Sequence, residues 1–362
     1  MFASFHRRWI TSIIPILVVI VLLGLYSIFY FQTRHESSPH PSETISNMGW
    51  YAIYFTDPTS PSASSLRGGP DAALAEAIDS ARYSVDVAIY RLDLWSIRDA
   101  LIRAHKRGVA VRVITDSDHE DEAEIVDLKA AGILVIDDQR EPLMHHKFVV
   151  IDGIDVWTGS MNFTVNGAYR NNNNLIRIRS SRVGQDYTHE FEEMFLEDRF
   201  GALSEADTPY PKLTIDGIQV EVYFSPDDDV EDRIVEVLRG AEKSIDFMVY
   251  AFTSDVLAET MLARARAGVE VRGVIEWDLA SNPGSDYARF RQAGLDIHLD
   301  NNPRNMHHKV IVIDDSIVIT GSYNFSRNAE EHNDENVLIL YDVRVSKEYL
   351  LEFKRIYENA IP

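Results

Sequence analysis

The chain has 362 residues, 45% hydrophobic and 25% charged, enough apolar material for two domains of ordinary size, each with its own core. It contains no cysteine, which excludes a disulfide framework and a thiolate zinc site. A formal net charge of −22 removes the overall electrostatic attraction that dominates affinity for long nucleic acids, although a local basic groove is compatible with it.

Residues 9 to 31, from Trp9 to Phe31, contain no charged side chain. At helical rise this run is long enough to cross a bilayer core of about 30 Å. His6, Arg7 and Arg8 precede it, with Trp9 at one end and Tyr26 and Tyr30 at the other, as the positive-inside rule and the aromatic belt require. The run exceeds a signal-peptide core and no A-x-A cleavage site follows, so a retained single-pass anchor is expected. Residues 1–8 would then be cytoplasmic and everything beyond the anchor extracytoplasmic. Residues 32–48, rich in Ser, Pro, His and Glu, read as a tether.

The remainder alternates strand and helix patterns twice. WYAIYF (50–55) reads as a strand, residues 71–82 as an amphipathic helix, SVDVAIY (84–90) as a strand, residues 97–107 as a helix ended by Gly108, and VAVRVITD (109–116) as a strand. The second half repeats this with VEVYFSP (220–226), a helix over 230–243, SIDFMVY (244–250), a helix over 256–267, Gly268, and VEVRGVIE (269–276). The offset is 160 here and 162 further on, which places a two-residue insertion near the loop after Glu276. Pro209, Pro211 and Gly217 interrupt the pattern, giving halves of 49–208 and 209–362 and an α/β fold class.

Within each half stands the pattern H-x-K-x4-D-x6-G-S-x-N. The first copy supplies His145, Lys147, Asp152, Gly159, Ser160 and Asn162, and the second His307, Lys309, Asp314, Gly321, Ser322 and Asn324. In a strand, residues i and i+2 share a face, so His145 lies beside Lys147 and His307 beside Lys309, while His146 and His308 turn the other way into structural roles. The turn signals Asp152-Gly153 and Asp314-Asp315 followed by a second apolar run predict a β-hairpin that brings Gly-Ser-x-Asn back to the His and Lys. Lys and Asn are donors suited to phosphate oxygens, and two imidazoles allow one to attack phosphorus while the other protonates the leaving oxygen. The set suits a phosphodiester and needs no metal or other cofactor.

At these residues the chain resembles the phospholipase D superfamily, whose signature is this doubled motif, and the resemblance extends from about residue 50 to the end. It implies two α/β sandwich halves related by a pseudo-twofold, with the active site at their interface. It further implies His145 as nucleophile through a phosphohistidine, His307 as general acid, and Lys147, Lys309, Asn162 and Asn324 as phosphoryl ligands. Ser160 and Ser322 would shape the pocket. Asp152, Asp314, Gly159 and Gly321 would be structural.

Twenty-eight residues beyond His307 stands Glu335, and 28 beyond His145 stands Asn173. In the superfamily a residue near this place orients a catalytic imidazole, and a carboxylate there is expected to raise the histidine's pKa whereas an amide is not. Whether each partner serves its own copy or the other stays open.

The acidic stretches DSDHEDEAE (116–124) and DDDVED (227–232) read as a solvated loop and a helix start, and Trp157, Tyr169, Trp277 and Tyr323 as packing residues. A phospholipid head-group phosphodiester is the expected substrate, with a membrane-tethered nuclease as the alternative. Cardiolipin synthase-type transfer and a non-catalytic binding role stand behind both. No protein partner is implied, because two copies in one chain complete the site.

Overall fold

The computed structural model describes residues 49–362; the expected anchor and tether lie outside the described residues. Among the described residues no helix is long and apolar enough to cross a membrane.

The first half contains strands β1 (Tyr51–Phe55), β2 (Ser84–Ile89), β3 (Ala110–Thr115), β4 (Leu134–Asp137), β5 (Lys147–Ile151), β6 (Asp155–Gly159) and β7 (Asn174–Arg179). They form one sheet in the order β1-β7-β6-β5-β2-β3-β4. The second half contributes β8 (Lys212–Ile215), β9 (Ile218–Ser225), β10 (Ser244–Val249), β11 (Glu270–Ile275), β12 (Asp296–Leu299), β13 (Lys309–Ile313), β14 (Ile317–Gly321) and β15 (Glu335–Leu340). Their order, β12-β11-β10-β13-β14-β15-β9-β8, is the first sheet's order read backwards with β8 added at the edge. In both, the helix-connected strands β2-β3-β4 and β10-β11-β12 pair in parallel and the remaining ladders are antiparallel.

Burial explains the layering. The central strands β5 and β13 are buried along their whole length, so they need cover on both faces. On the outer faces, helices Pro70–Asp79, Trp95–Lys106 and Ala123–Ala130 cover the first sheet, and Val230–Arg239, Asp255–Arg266 and Tyr287–Gln292 the second. The inner faces share a single hydrophobic cluster. Phe148, Val150, Tyr187 and Phe191 meet Phe224, Val310, Val312 and Tyr349 there, with the tyrosines and Phe191 supplied by two long helices, Ser181–Glu197 and Val343–Tyr357. Each fully buried aromatic or branched side chain contributes about 1.5–3 kcal/mol, so this shared cluster holds the halves in register.

Alternation along β5 sets the next step. Phe148 and Val150 lie in the inter-sheet cluster while Val149 and Ile151 lie in the outer one. His146 falls on the inner face and bonds Glu190 on the helix Ser181–Glu197 at 2.9 Å; His308 likewise bonds Glu352 on Val343–Tyr357 at 3.0 Å.

Candidate active site

Backbone bridges between the halves bring the two motif copies together. His145 N donates to Asp334 O at 3.0 Å, and Asp334 N to Leu143 O at 3.0 Å. In the mirror pairing His307 N donates to Asn172 O at 2.8 Å and Asn172 N to Asn305 O at 2.9 Å. Buried Asp116 and Glu276 anchor these segments by accepting from Met144 N at 2.9 Å and Met306 N at 2.6 Å. Each histidine therefore sits one residue along from a strand contact that delivers a partner from the opposite half.

The partners cross over. His145 Nδ1 lies 2.8 Å from Glu335 Oε2, and His307 Nδ1 lies 2.9 Å from Asn173 Oδ1 and 3.1 Å from Ser160 O. Asn173 is fixed in orientation because its Nδ2 donates to Gly167 O at 3.0 Å while Ser160 Oγ donates to its Oδ1 at 2.9 Å. Both neighbours of His307 Nδ1 are thus acceptors, so Nδ1 carries the proton and Nε2 is the free nitrogen. The carboxylate imposes the same tautomer on His145.

Lys147 Nζ donates to His145 O at 2.8 Å and lies 5.2 Å from the Tyr90 ring centroid. Lys309 Nζ lies 3.2 Å from His307 O, 3.4 Å from His307 Nε2 and 5.1 Å from the Tyr250 ring. All four groups are nearly or fully enclosed, at 5% and 8% exposure for the histidines and 0% and 2% for the lysines.

Electrostatics follow from crowding cationic groups around one carboxylate. Burial, then Lys147 and Lys309, holds His145 well below the ordinary histidine value; burial, Lys309 and Lys147 do the same to His307. Burial brings Lys309 down to about 7 and raises Glu335 to about 7. The expectation that a carboxylate partner lifts its histidine's pKa is corrected here: burial, with Lys147 and Lys309 alongside, holds His145 below the ordinary value despite the bond to Glu335. A substrate-free site is short of negative charge.

The remaining motif residues divide into two groups. Gly159 (φ 147°) and Gly321 (φ 150°) end the hairpins where a Cβ would meet Asn174 O at 2.4 Å and Asn336 O at 2.1 Å, so only glycine fits. Asp152 lies at the first hairpin turn and accepts from the backbone N of Arg82, Tyr83 and Ser84. Asp314 does the same for Glu242, Lys243 and Ser244, pinning the start of β10. Ser322 Oγ accepts from Asn336 N at 3.0 Å, as Ser160 Oγ accepts from Asn174 N at 3.1 Å while donating to Asn173 Oδ1. Asn162 and Asn324 are half-buried, and the Oδ1 of each is buried without a hydrogen-bond partner.

Two residues were missed by sequence reasoning. Tyr90 and Tyr250 stand at the ends of β2 and β10, with ring centroids 5.0 Å from His145 and 4.6 Å from His307. Their backbone N groups donate to His146 O at 2.9 Å and His308 O at 2.8 Å. The available signal was their identical place in the repeat, at the end of VDVAIY and IDFMVY. Burial raises both phenols, and Asp116 and Asp118 act on Tyr90 as Glu276 and Asp278 act on Tyr250, giving the surroundings an acidic character. Among the aromatics assigned to packing, Trp157 stacks on Tyr54, Tyr169 OH donates to Asp71 and Tyr323 OH to Glu330, whereas Trp277 is 57% exposed.

Residues 74–195 and 234–357 match the family described as "Cardiolipin synthase, PLD-like domain". The chain belongs to the phospholipase D-like family. Mitochondrial cardiolipin hydrolase of Xenopus laevis is 36% identical over 135 residues, 37% of this chain and 64% of that protein, so the chain spans less than two thirds of that relative's length. Phospholipase D of Rickettsia prowazekii is 30% identical over 163 residues, 44% of this chain and 80% of that protein. The crystal structure of phosphatidylserine synthase from Haemophilus influenzae superposes with a TM-score of 0.62 at 13% identity, over 85% of this chain and 86% of that one. At that identity the likeness concerns the fold, and it spans both phospholipase D-like halves.

Proposed function

We propose that the protein is a phosphodiesterase that hydrolyses a phospholipid head-group phosphodiester through a phosphohistidine intermediate. The observation that carries this reading is the buried meeting of His145, Lys147, His307 and Lys309 around a single carboxylate, Glu335. An anionic phosphodiester supplies the missing charge, pairs with both ammonium groups, and raises the pKa of His307 so that its Nε2 can carry the proton the leaving oxygen takes.

The unequal partners assign the roles. His145, with Nδ1–H on a carboxylate, presents Nε2 as nucleophile, and Glu335 offsets the positive charge that the imidazole gains when the P–N bond forms. His307, held by a neutral amide, donates its Nε2 proton to the departing alcohol and then takes a proton from the water that breaks the P–N bond. Lys147 and Lys309 hold the non-bridging oxygens, with Asn162 and Asn324 as further donors. No step uses a metal.

The names of the relatives, a cardiolipin hydrolase and a phospholipase D, support a phospholipid, as do the net charge of −22 and the acidic groups around Tyr90 and Tyr250. Residues 9–31 as a membrane anchor would place the site near lipid and raise the effective substrate concentration. The test is head-group release from phosphatidylcholine, phosphatidylglycerol and cardiolipin vesicles by the full chain in chelator, with single-stranded DNA in parallel. Release that disappears in His145→Ala supports the reading; DNA cleavage with inert vesicles replaces it with a nuclease.

A further inference from the structure

The two inner helices differ in charge at one place where the repeat makes them equivalent. On Val343–Tyr357, Glu352 accepts from His308 and from Arg355, whose Nε and Nη2 lie at 2.8 Å and 2.7 Å. That array is balanced, and the bonds from His308 and Arg355 overcome burial to hold Glu352 below the ordinary carboxylate value. At the 162-residue offset, Glu190 takes the place of Glu352, but Glu193 takes that of Arg355. The guanidinium of one half is a carboxylate in the other.

Among the described residues no guanidinium of the first half bonds Glu190, and the cationic groups on this face are His189, already paired with Asp207, and Arg199 beside Glu193. Helix Ser181–Glu197 carries Asp186, His189, Glu190 and Glu193 at spacings that share one face. The connecting segment brings Asp207 against this face, with His189 Nε2 2.6 Å from Asp207 Oδ1, and the loop after β9 adds Asp227 and Asp228. Arg199 is 3.6 Å from Glu193 but also lies 2.9 Å from Glu205 and 3.2 Å from Glu197, so its one charge is divided. Separately, two buried oxygens among the neighbouring carboxylates lack a hydrogen-bond partner: Oδ2 of Asp186, a residue with 0% exposure whose Oδ1 accepts from Tyr210 N at 2.7 Å, and Oδ1 of Asp227. Buried carboxylate oxygens are left this way at substantial cost unless a cation or proton meets them.

Ligand atoms of His189, Glu193 and Asp207 all lie within 4.8 Å of one another, the one such grouping among the described residues. His189 and Asp207 keep 38% and 48% side-chain exposure, which leaves a route from solvent, while Glu193 at 5% forms the floor. One imidazole with carboxylates suits a transition-metal ion, borderline Zn²⁺ or the harder Mn²⁺, better than Mg²⁺, which dehydrates reluctantly.

We propose that His189, Glu193 and Asp207 bind one divalent transition-metal cation, which gives the first half the positive charge that Arg355 gives the second. The ion clips the segment joining the halves to the helix whose Glu190 holds His146, the residue next to His145. It is a structural site, and the phosphodiester chemistry takes no step through it.

The experiment strips the full chain with chelator, dialyses it at pH 7.5 against Zn²⁺, Mn²⁺ or Mg²⁺, and reads bound metal by atomic emission and Tm by calorimetry. The proposal expects one Zn²⁺ or Mn²⁺ per chain, a smaller response to Mg²⁺, and a Tm rise of about 5 °C at saturating ion. His189→Ala combined with Asp207→Asn should lose both the ion and the shift. Glu193→Arg, which rebuilds the arrangement of the second half, should raise the Tm of the ion-free protein and abolish binding. Absence of stoichiometric metal in the native chain, full binding in the double variant, or a lower ion-free Tm in Glu193→Arg would each overturn it. So would a native protein that acidification alone stabilises and no ion does.

Discussion

The halves share strand order, hairpins and motif, yet they differ in charge at two matched places. Beside the H-x-K histidines, the second half lends Glu335 to His145 whereas the first lends Asn173 to His307. Beneath the structural histidines, Glu352 faces Arg355 whereas Glu190 faces Glu193, Asp207 and Asp228. Duplication supplies a symmetric frame, and single differences on that frame give the two motif histidines unlike partners and the two inner helices unlike charge. Because the partners cross between halves, neither half holds a complete site.

The largest expected effect breaks the comparison at the active site. His145→Ala should lose turnover by about 10⁴-fold or more with every substrate, because the covalent step disappears. His307→Ala should lose about 10²–10⁴-fold with a natural alcohol leaving group. It should recover most of the covalent step with a p-nitrophenyl phosphodiester, whose leaving group needs no proton. Equal recovery in both variants would make the histidines interchangeable.

Next in size are the partners. Glu335→Gln should lower kcat about 10–100-fold and Asn173→Ala less, since the first removes charge and orientation and the second orientation alone. Steady-state kinetics with matched folded variants reads the difference.

Stability effects sharpen the other contrast. Gly159→Ala or Gly321→Ala should cost about 3 kcal/mol in urea unfolding, from the close carbonyl and the left-handed φ. Arg355→Met should cost about 2–3 kcal/mol at pH 8 and less at pH 5, because it strands buried Glu352, which then stays charged only at a penalty.

The smallest effect concerns pH. Burial, Glu190 and Asp228 raise Asp227 to about 9, and burial with Asp228 raises Asp186 to about 7. The native ion-free state therefore holds protons that the unfolded chain releases near pH 4. This stability is complete below that pH and is lost as pH rises through 7 to 9. Asp227→Asn should flatten the decline between pH 5 and pH 9 in urea titrations.

Much of this was legible in the sequence. The H-x-K and G-S-x-N segments fell on a hairpin because β-branched runs flank an Asp turn, and Val149↔Trp157 and Ile311↔Ile319 pair across it. The strand expected at 84–90 is β2 (Ser84–Ile89), and the helix expected over 71–82 runs Pro70–Asp79, stopping earlier at the Ser80 cap. What was not legible depends on contacts far apart in sequence. The crossing of Glu335 to His145 spans 190 residues and is fixed by bridges such as Met144↔Asp334, which no local pattern encodes. The acidity of helix Ser181–Glu197 was visible, but its meaning needed the partner Arg355 for comparison.

In the proposed reaction His145 Nε2 is the atom that takes the phosphoryl group. The most direct measurement is peptide mapping by mass spectrometry of His307→Ala, quenched at high pH during turnover of the p-nitrophenyl substrate. The account predicts an acid-labile adduct on the peptide containing His145, absent in His145→Ala. An adduct on the His307 peptide of the reciprocal variant, with none on His145, would contradict it.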